Sequence, residues 1–126
     1  MYTHNKNHRN GNPRKSQWSI SKDEEKLCFD CSKNNQWLNE FDGWGLHCPQ
    51  GDILWLGWTQ GGGKQTFIAK FVCAKGNKPN WHGYPANHQK HVHDIPDTHI
   101  LNKWLQEKLI KPAKIRKIAK GQTCTL

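Results

Sequence analysis

Cys28 and Cys31 are separated by two residues, and Cys48 follows further along with His47 beside it. Thiolates in a C-x2-C arrangement, joined by a further Cys or His, are the donor set of small zinc sites. The second half of a zinc ribbon is incomplete here, because Gly51 stands where its last cysteine would be. Cys28, Cys31, Cys48 and His47 are therefore the candidate metal ligands, and zinc is the candidate cofactor. Buried reduced thiols are the competing reading, since two cysteines on one helical face serve a core equally well. Five cysteines, an odd number, in a chain whose first residues hold no apolar leader suit a reducing, cytoplasmic compartment.

A second group runs through His82, His88, His91, His93 and His99, with Asp94 and Asp97 interleaved. Imidazole and carboxylate together can ligate a transition metal or move protons in phosphodiester cleavage. His82, His91, His93 and Asp94 are the catalytic candidates of such a nuclease or toxin-like phosphodiesterase. In an extended segment His91 and His93 would point to one side. A polar loop in a chain with eight histidines is the simpler alternative. Residues 57–64 (GWTQGGGK) suggest a phosphate loop but lack its glycine spacing, and Gln65 replaces the required Ser or Thr. The stretch reads as a hairpin tip whose Lys64 can reach a phosphate.

The third group is basic. The 126 residues carry 19 Lys and Arg against 10 Asp and Glu, a net charge of +9 with His neutral. Residues 1–20 hold four basic and no acidic groups, residues 21–60 three and seven, and residues 61–126 twelve and three. Between 103 and 120, seven cations face a lone acid, Glu107. Lys103, Lys111, Lys114, Arg116, Lys117 and Lys120, with Lys64, are the candidate nucleic-acid contacts, because neutralised phosphates release their counterions. A small nucleic-acid-binding protein, on RNA or DNA, is the leading functional expectation. The nuclease and a protein-binding inhibitor or adaptor are the alternatives. Of the seven tryptophans, Trp44 and Trp81 are the best candidates for exposed stacking rings, although packing is the favoured role for these two as well, and Trp55, Trp58 and Trp104 read as core.

The elements that must position these groups are readable in part. Residues 1–16 have little to bury and are expected to form a disordered basic arm, able to add phosphate contacts through Arg9, Arg14 and Lys15. Ser21 with Glu24 matches a capping box, which predicts a helix over about 22–33. Leu27, Cys31, Leu38 and Phe41 fall near helical spacing, and Asp42, Gly43 and Gly45 should break the chain. Residues 52–58 and 65–73 predict two strands joined by a Gly-rich turn. Prolines 79, 85 and 96 make 74–97 an irregular loop. Asp97 can cap a helix burying Ile100, Leu101, Trp104 and Leu105. Pro112 opens a second helix, with Ile115, Ile118 and Ala119 inward and Gly121 as its stop. No apolar run reaches the roughly 20 residues of a membrane span. The expected fold is α+β: a small antiparallel sheet built on a β-hairpin at about 52–73, with an N-terminal helix and a C-terminal helical pair. Residues 17–126 are expected to form one domain.

Overall fold

The computed structural model describes residues 1–74 and 79–126. The chain is α+β, with two three-stranded antiparallel sheets, an N-terminal helix and two C-terminal helices. The chain forms two compact units, Met1–Ala86 and Asn87–Leu126. No helix among the described residues is long and apolar enough to cross a membrane.

In the first unit, β1 (Gln17–Trp18), β3 (Gly57–Trp58) and β4 (Gln65–Thr66) form one sheet in the order β1-β3-β4. The expected hairpin is present as β3–β4, closed by Thr59 N–H to Lys64 O at 2.8 Å and Lys64 N–H to Thr59 Oγ1 at 2.7 Å. It is shorter than the apolar pattern implied. Leu54 makes only an isolated bridge to His47, and the 65–73 run breaks at Phe67. Beyond that break the chain enters the other sheet as β5 (Ile68–Ala74), the central strand between β2 (Asp42–Leu46) and β6 (Asn80–Pro85).

Two of these strands lie where the sequence predicts none. β2 reads Asp-Gly-Trp-Gly-Leu, which is strand-poor by composition. Gly45 is required there by close approach: a Cβ would strike Ser32 Oγ of the overlying helix and the Phe71 ring. β6 occupies part of the expected loop 74–97, with Pro85 at its last position, where a missing N–H is tolerated. Residues 75–78 of that expected loop lie outside the described residues. Residues 1–3 pair in parallel with β6 through Trp81 N–H to Met1 O and Thr3 N–H to Trp81 O, both 2.8 Å.

α1 (Lys22–Asn34) starts at the predicted capping box: Glu24 N–H donates to Ser21 Oγ at 3.1 Å, and Ser21 N–H to Glu24 Oε1 at 3.0 Å. Its buried face differs from the expected one. Leu27 and Cys31 face solvent, while Glu25, Cys28, Phe29 and Ser32 are buried. The reason is the environment of Glu25, which is 0% exposed. Arg9 donates to Oε1 through Nη2 at 2.7 Å and Nε at 3.1 Å, and the Tyr2 hydroxyl donates to Oε2. His4 Nδ1 lies 3.1 Å from Oε2, at ion-pair distance but outside hydrogen-bond geometry. The expected arm is thus no free tail at Tyr2, His8 and Arg9. Tyr2 also stacks beside Phe29 and Phe71, in a core that includes Trp18, Ile20, Leu56 and Ala69. On the sheet, Lys70 is buried too; its Nζ sits 3.0 Å from Asp42 Oδ2 and 3.8 Å from the Trp44 ring centroid.

In the second unit, α2 (Thr98–Gln106) buries Ile100, Leu101 and Trp104, as its apolar stripe predicts. Asp97 holds the N-cap position without a side-chain cap bond. α3 (Pro112–Ala119) begins at proline and buries Ile115 and Ile118, while Ala119, expected inward, is exposed. All three α-helices end the same way. After α2, Lys108 N–H bonds Leu105 O and Leu109 N–H bonds Trp104 O; Gln36 with Trp37 and Gly121 with Gln122 repeat the pattern after α1 and α3. This is the Schellman closure, which puts the residue after the cap in the left-handed region. Gly121 suits it at φ 68°, but Lys108 (φ 59°) and Gln36 (φ 61°) carry a Cβ there.

Two stability predictions follow from these contacts. Left-handed φ costs an L-residue roughly 1–2 kcal/mol, so Lys108→Gly and Gln36→Gly should each stabilise the chain by about 1 kcal/mol in urea unfolding, against a loss for Gly121→Ala. Removing one member of a buried ion pair costs roughly 3–5 kcal/mol, whereas an exposed pair is worth about 0–1. Arg9→Met should therefore approach the first range. Lys26→Met should stay near the second, because Lys26 pairs with Asp30 at 2.6 Å with both side chains nearly half exposed. Equal losses would refute the role given to Glu25.

Candidate functional site

The helical pair α2–α3 gathers the basic residues singled out by the sequence. Ile115 and Ile118 turn inward, and this leaves Lys111, Arg116, Lys117 and Lys120 exposed, with Lys114 half-buried on the flank. Lys108 is exposed at the left-handed turn between the helices, and Lys103 is half-buried on α2. Among the described residues, no ion pair engages Lys108, Lys111, Arg116, Lys117 or Lys120. The turn lacks the glycine usual in a helix-turn-helix; Lys108 takes the conformation a glycine would supply, so the pair closes tightly and still adds a cation. Lys64 is exposed at the β3–β4 hairpin tip in the other unit. Of the basic arm, Arg14 and Lys15 are exposed, but Arg9 is consumed by Glu25.

The histidine group is divided between the two units. His82 lies on β6 in the Met1–Ala86 unit, opposite Val72 on β5. His91 and His93 are exposed in the other unit, on either side of Val92. A short 3-10 turn over Val92–Asp94 replaces the extended segment that would have aligned their side chains. Asp94 is 3% exposed and accepts the Asn87 backbone N–H at 2.8 Å, so its carboxylate closes the loop it sits in. His88 is tied to the C-terminal tail through Nε2 and Gln122 O at 2.8 Å.

The thiols behave differently. Cys28 Sγ and His47 Nδ1 are 3.9 Å apart, both side chains buried. Burial, then the neighbouring Cys31 and Cys48, push the Cys28 thiol up to about 12. Burial and Cys31 push Cys48 up to about 11. Cys28 and His47 are thus in contact, and Cys31 and Cys48 lie near enough to act on the Cys28 thiol through their charge. Among the described residues, no three His, Cys, Asp or Glu side chains form a group that could hold a metal ion as they stand. Such raised thiols are poor nucleophiles at neutral pH.

The tryptophans sort only partly as expected: Trp55, Trp58 and Trp81 are all partly buried, and Trp44 is fully buried. Trp44 is 1% exposed beneath Lys70, and Trp81 is half-buried against Phe29. Trp55 and Trp58 lie edge to face with centroids 4.9 Å apart, while Trp104 is core as expected. Residues in loops beside glycine do not gain exposure when the glycine exists to let a neighbouring element come close.

One histidine outside every expected group titrates with consequence. His8 is buried, stacked on Tyr84 at 5.1 Å, with Nδ1 2.8 Å from Ser16 O. Burial lowers its pKa, and the nearby Lys15 and His82 act in the same direction. The unfolded chain then binds a proton near pH 6.5 that the folded chain refuses, so this contribution to stability is full above about pH 6.5 and is lost as pH falls through the lower folded value. Urea unfolding at about pH 7.5 and pH 5 should show that loss, and His8→Phe, which keeps the ring stack, should flatten it; an equally steep profile in the variant would assign the loss elsewhere.

Comparison of the chain with protein-family models, with curated proteins and with solved structures finds no match in any of the three, so its function is argued from its own residues.

Proposed function

We propose that this chain is a small basic nucleic-acid-binding protein that contacts the sugar-phosphate backbone through its C-terminal helical pair. The observation that carries the reading is the set of exposed cations Lys108, Lys111, Arg116, Lys117 and Lys120, none of them in an ion pair among the described residues. An internal role would have paired them with carboxylates, and only Glu107 lies among them in sequence. At 1.5 Å per residue α3 is about 12 Å long, a length over which duplex DNA presents about seven phosphate charges. Lys103 and Lys114 flank this surface, and Lys64 with Arg14 and Lys15 adds cationic charge in the first unit.

Backbone contacts of this kind position a protein without reading bases. Affinity should therefore fall steeply with salt, with little preference between sequences. The half-exposed Trp55–Trp58 pair could add base stacking on single strands, worth roughly 1–3 kcal/mol per base.

The test is fluorescence anisotropy with labelled single-stranded RNA and duplex DNA across a salt series. Each phosphate neutralised contributes about 0.7–0.9 to the slope of log affinity against log salt. Lys117→Glu, at an exposed position, should lower that slope by about one unit or more without altering sequence preference. Absence of binding to either polymer at low salt, or an unchanged Lys117→Glu variant, rejects the reading.

A further inference from the structure

The neighbourhood of Cys28 holds more than thiols. Glu24, Cys28 and Cys31 stand at i, i+4 and i+7 on α1 and so share one stripe of the helix. Facing that stripe, the chain leaves β2 at Leu46 and continues directly into His47 and Cys48. The backbone of His47 is pinned there by Leu54, whose N–H donates to His47 O at 2.9 Å.

The spacing of the best-placed donors is informative. A tetrahedral zinc ion with Zn–S of about 2.3 Å and Zn–N of about 2.0–2.1 Å sets its sulfur and nitrogen ligands roughly 3.6 Å apart. Cys28 Sγ and His47 Nδ1 are 3.9 Å apart, a few tenths of an ångström from that value. The other ring nitrogen, Nε2, lies 3.4 Å from Glu24 Oε2. A carboxylate on the far nitrogen is the usual partner of a metal-bound histidine, because it fixes the tautomer and the ring orientation. Cys31 Sγ in turn accepts a hydrogen bond from Asn35 Nδ2 at 3.3 Å, a contact that favours sulfur carrying negative charge. Both groups also serve the helix ends, Glu24 in the capping box and Asn35 by donating to Cys31 O at 2.8 Å, and their second contacts fall on His47 and Cys31.

We propose that Cys28, Cys31, Cys48 and His47 form a binding site for a single zinc ion, with Glu24 orienting His47 and Asn35 supporting the Cys31 thiolate. The donors are not yet grouped to hold a metal among the described residues. Cys28 and His47 are buried and form the fixed half of the site; Cys31 is exposed and Cys48 partly exposed, and the proposal requires both side chains to turn onto the ion as it binds. Three thiol protons leave as the metal enters, and the sulfur-rich donor set favours zinc over magnesium or calcium. The site lies in the Met1–Ala86 unit, so it neither depends on nor supports the nucleic-acid reading of α2–α3.

The probe is Co2+ added to the full chain, freed of metal by a chelator under reducing conditions, followed by displacement with Zn2+. The expected result is a single equivalent of Co2+ with sulfur-to-cobalt charge-transfer absorption, lost on adding one equivalent of Zn2+, and native mass spectrometry showing the one-zinc species. Cys31→Ser, at an exposed position that the core does not need, should weaken the metal at least tenfold. Glu24→Gln retains the residue type that a capping box accepts and removes only the charge on His47; it should weaken binding by about 10–100-fold. Cys73→Ser and Cys124→Ser should bind as the parent does. A chain that stays at its metal-free mass in excess zinc, a cobalt spectrum without sulfur ligation, or Cys73→Ser and Cys124→Ser variants that lose as much affinity as Cys31→Ser would overturn the proposal.

Discussion

The buried carboxylate of Glu25 is the constraint on which the first unit depends. A carboxylate without water must be paired and hydrogen-bonded, and its partners come from a segment that has few other reasons to be ordered. Arg9 supplies the charge and two donors, and Tyr2 supplies a third. Burial and the adjacent carboxylate in turn hold the Tyr2 phenol protonated far above its ordinary range. Satisfying Glu25 decides which face of α1 turns inward, so it also decides that Cys28, Phe29 and Ser32 meet the sheet while Leu27 faces water. The helix is rotated by a polar contact, against the simplest hydrophobic reading of its sequence.

Where local chemistry suffices, the sequence is legible. The capping box at Ser21, the proline opening α3, the apolar stripe of α2 and the glycine closing α3 each act within a turn of themselves, and each stands where the residues place it. What escapes is whatever depends on a distant partner. Nothing local to Glu25 signals its burial, which depends on Arg9 and Tyr2. Nor does anything local to Lys70 signal its burial, which depends on Asp42 and Trp44. β2 hides because its glycines, which signal a break, serve a close approach to α1.

The candidate sites divide in the same way. Exposure of the α3 cations follows from helical periodicity, so that surface could be drawn from the sequence. The histidines are neighbours along the chain but enter different elements: one joins a strand, two flank a 3-10 turn, and the buried Asp94 is spent on a backbone N–H. For the thiols the candidate donor types are legible from spacing, but the contacts of Glu24 and Asn35 are not. Their relation to His47 and Cys31 depends on how α1 packs beside the end of β2 and on a bond along its last turn.

The pairing of residues 1–3 with β6 has a consequence for how the molecule behaves in company. β6 borders its sheet, and the outer side of a border strand offers unpaired N–H and C=O groups to any extended chain that arrives. Residues 1–3 occupy the stretch at Trp81, and the Met1 amine adds a contact to Pro79 O at 3.3 Å. The same residues reach Glu25 through Tyr2, so a polar contact inside the core also keeps the strand outside it covered. Loosening the grip on Glu25 would uncover a template for sheet extension between molecules, and the first symptom of a weakened core would then be self-association before any loss of helix.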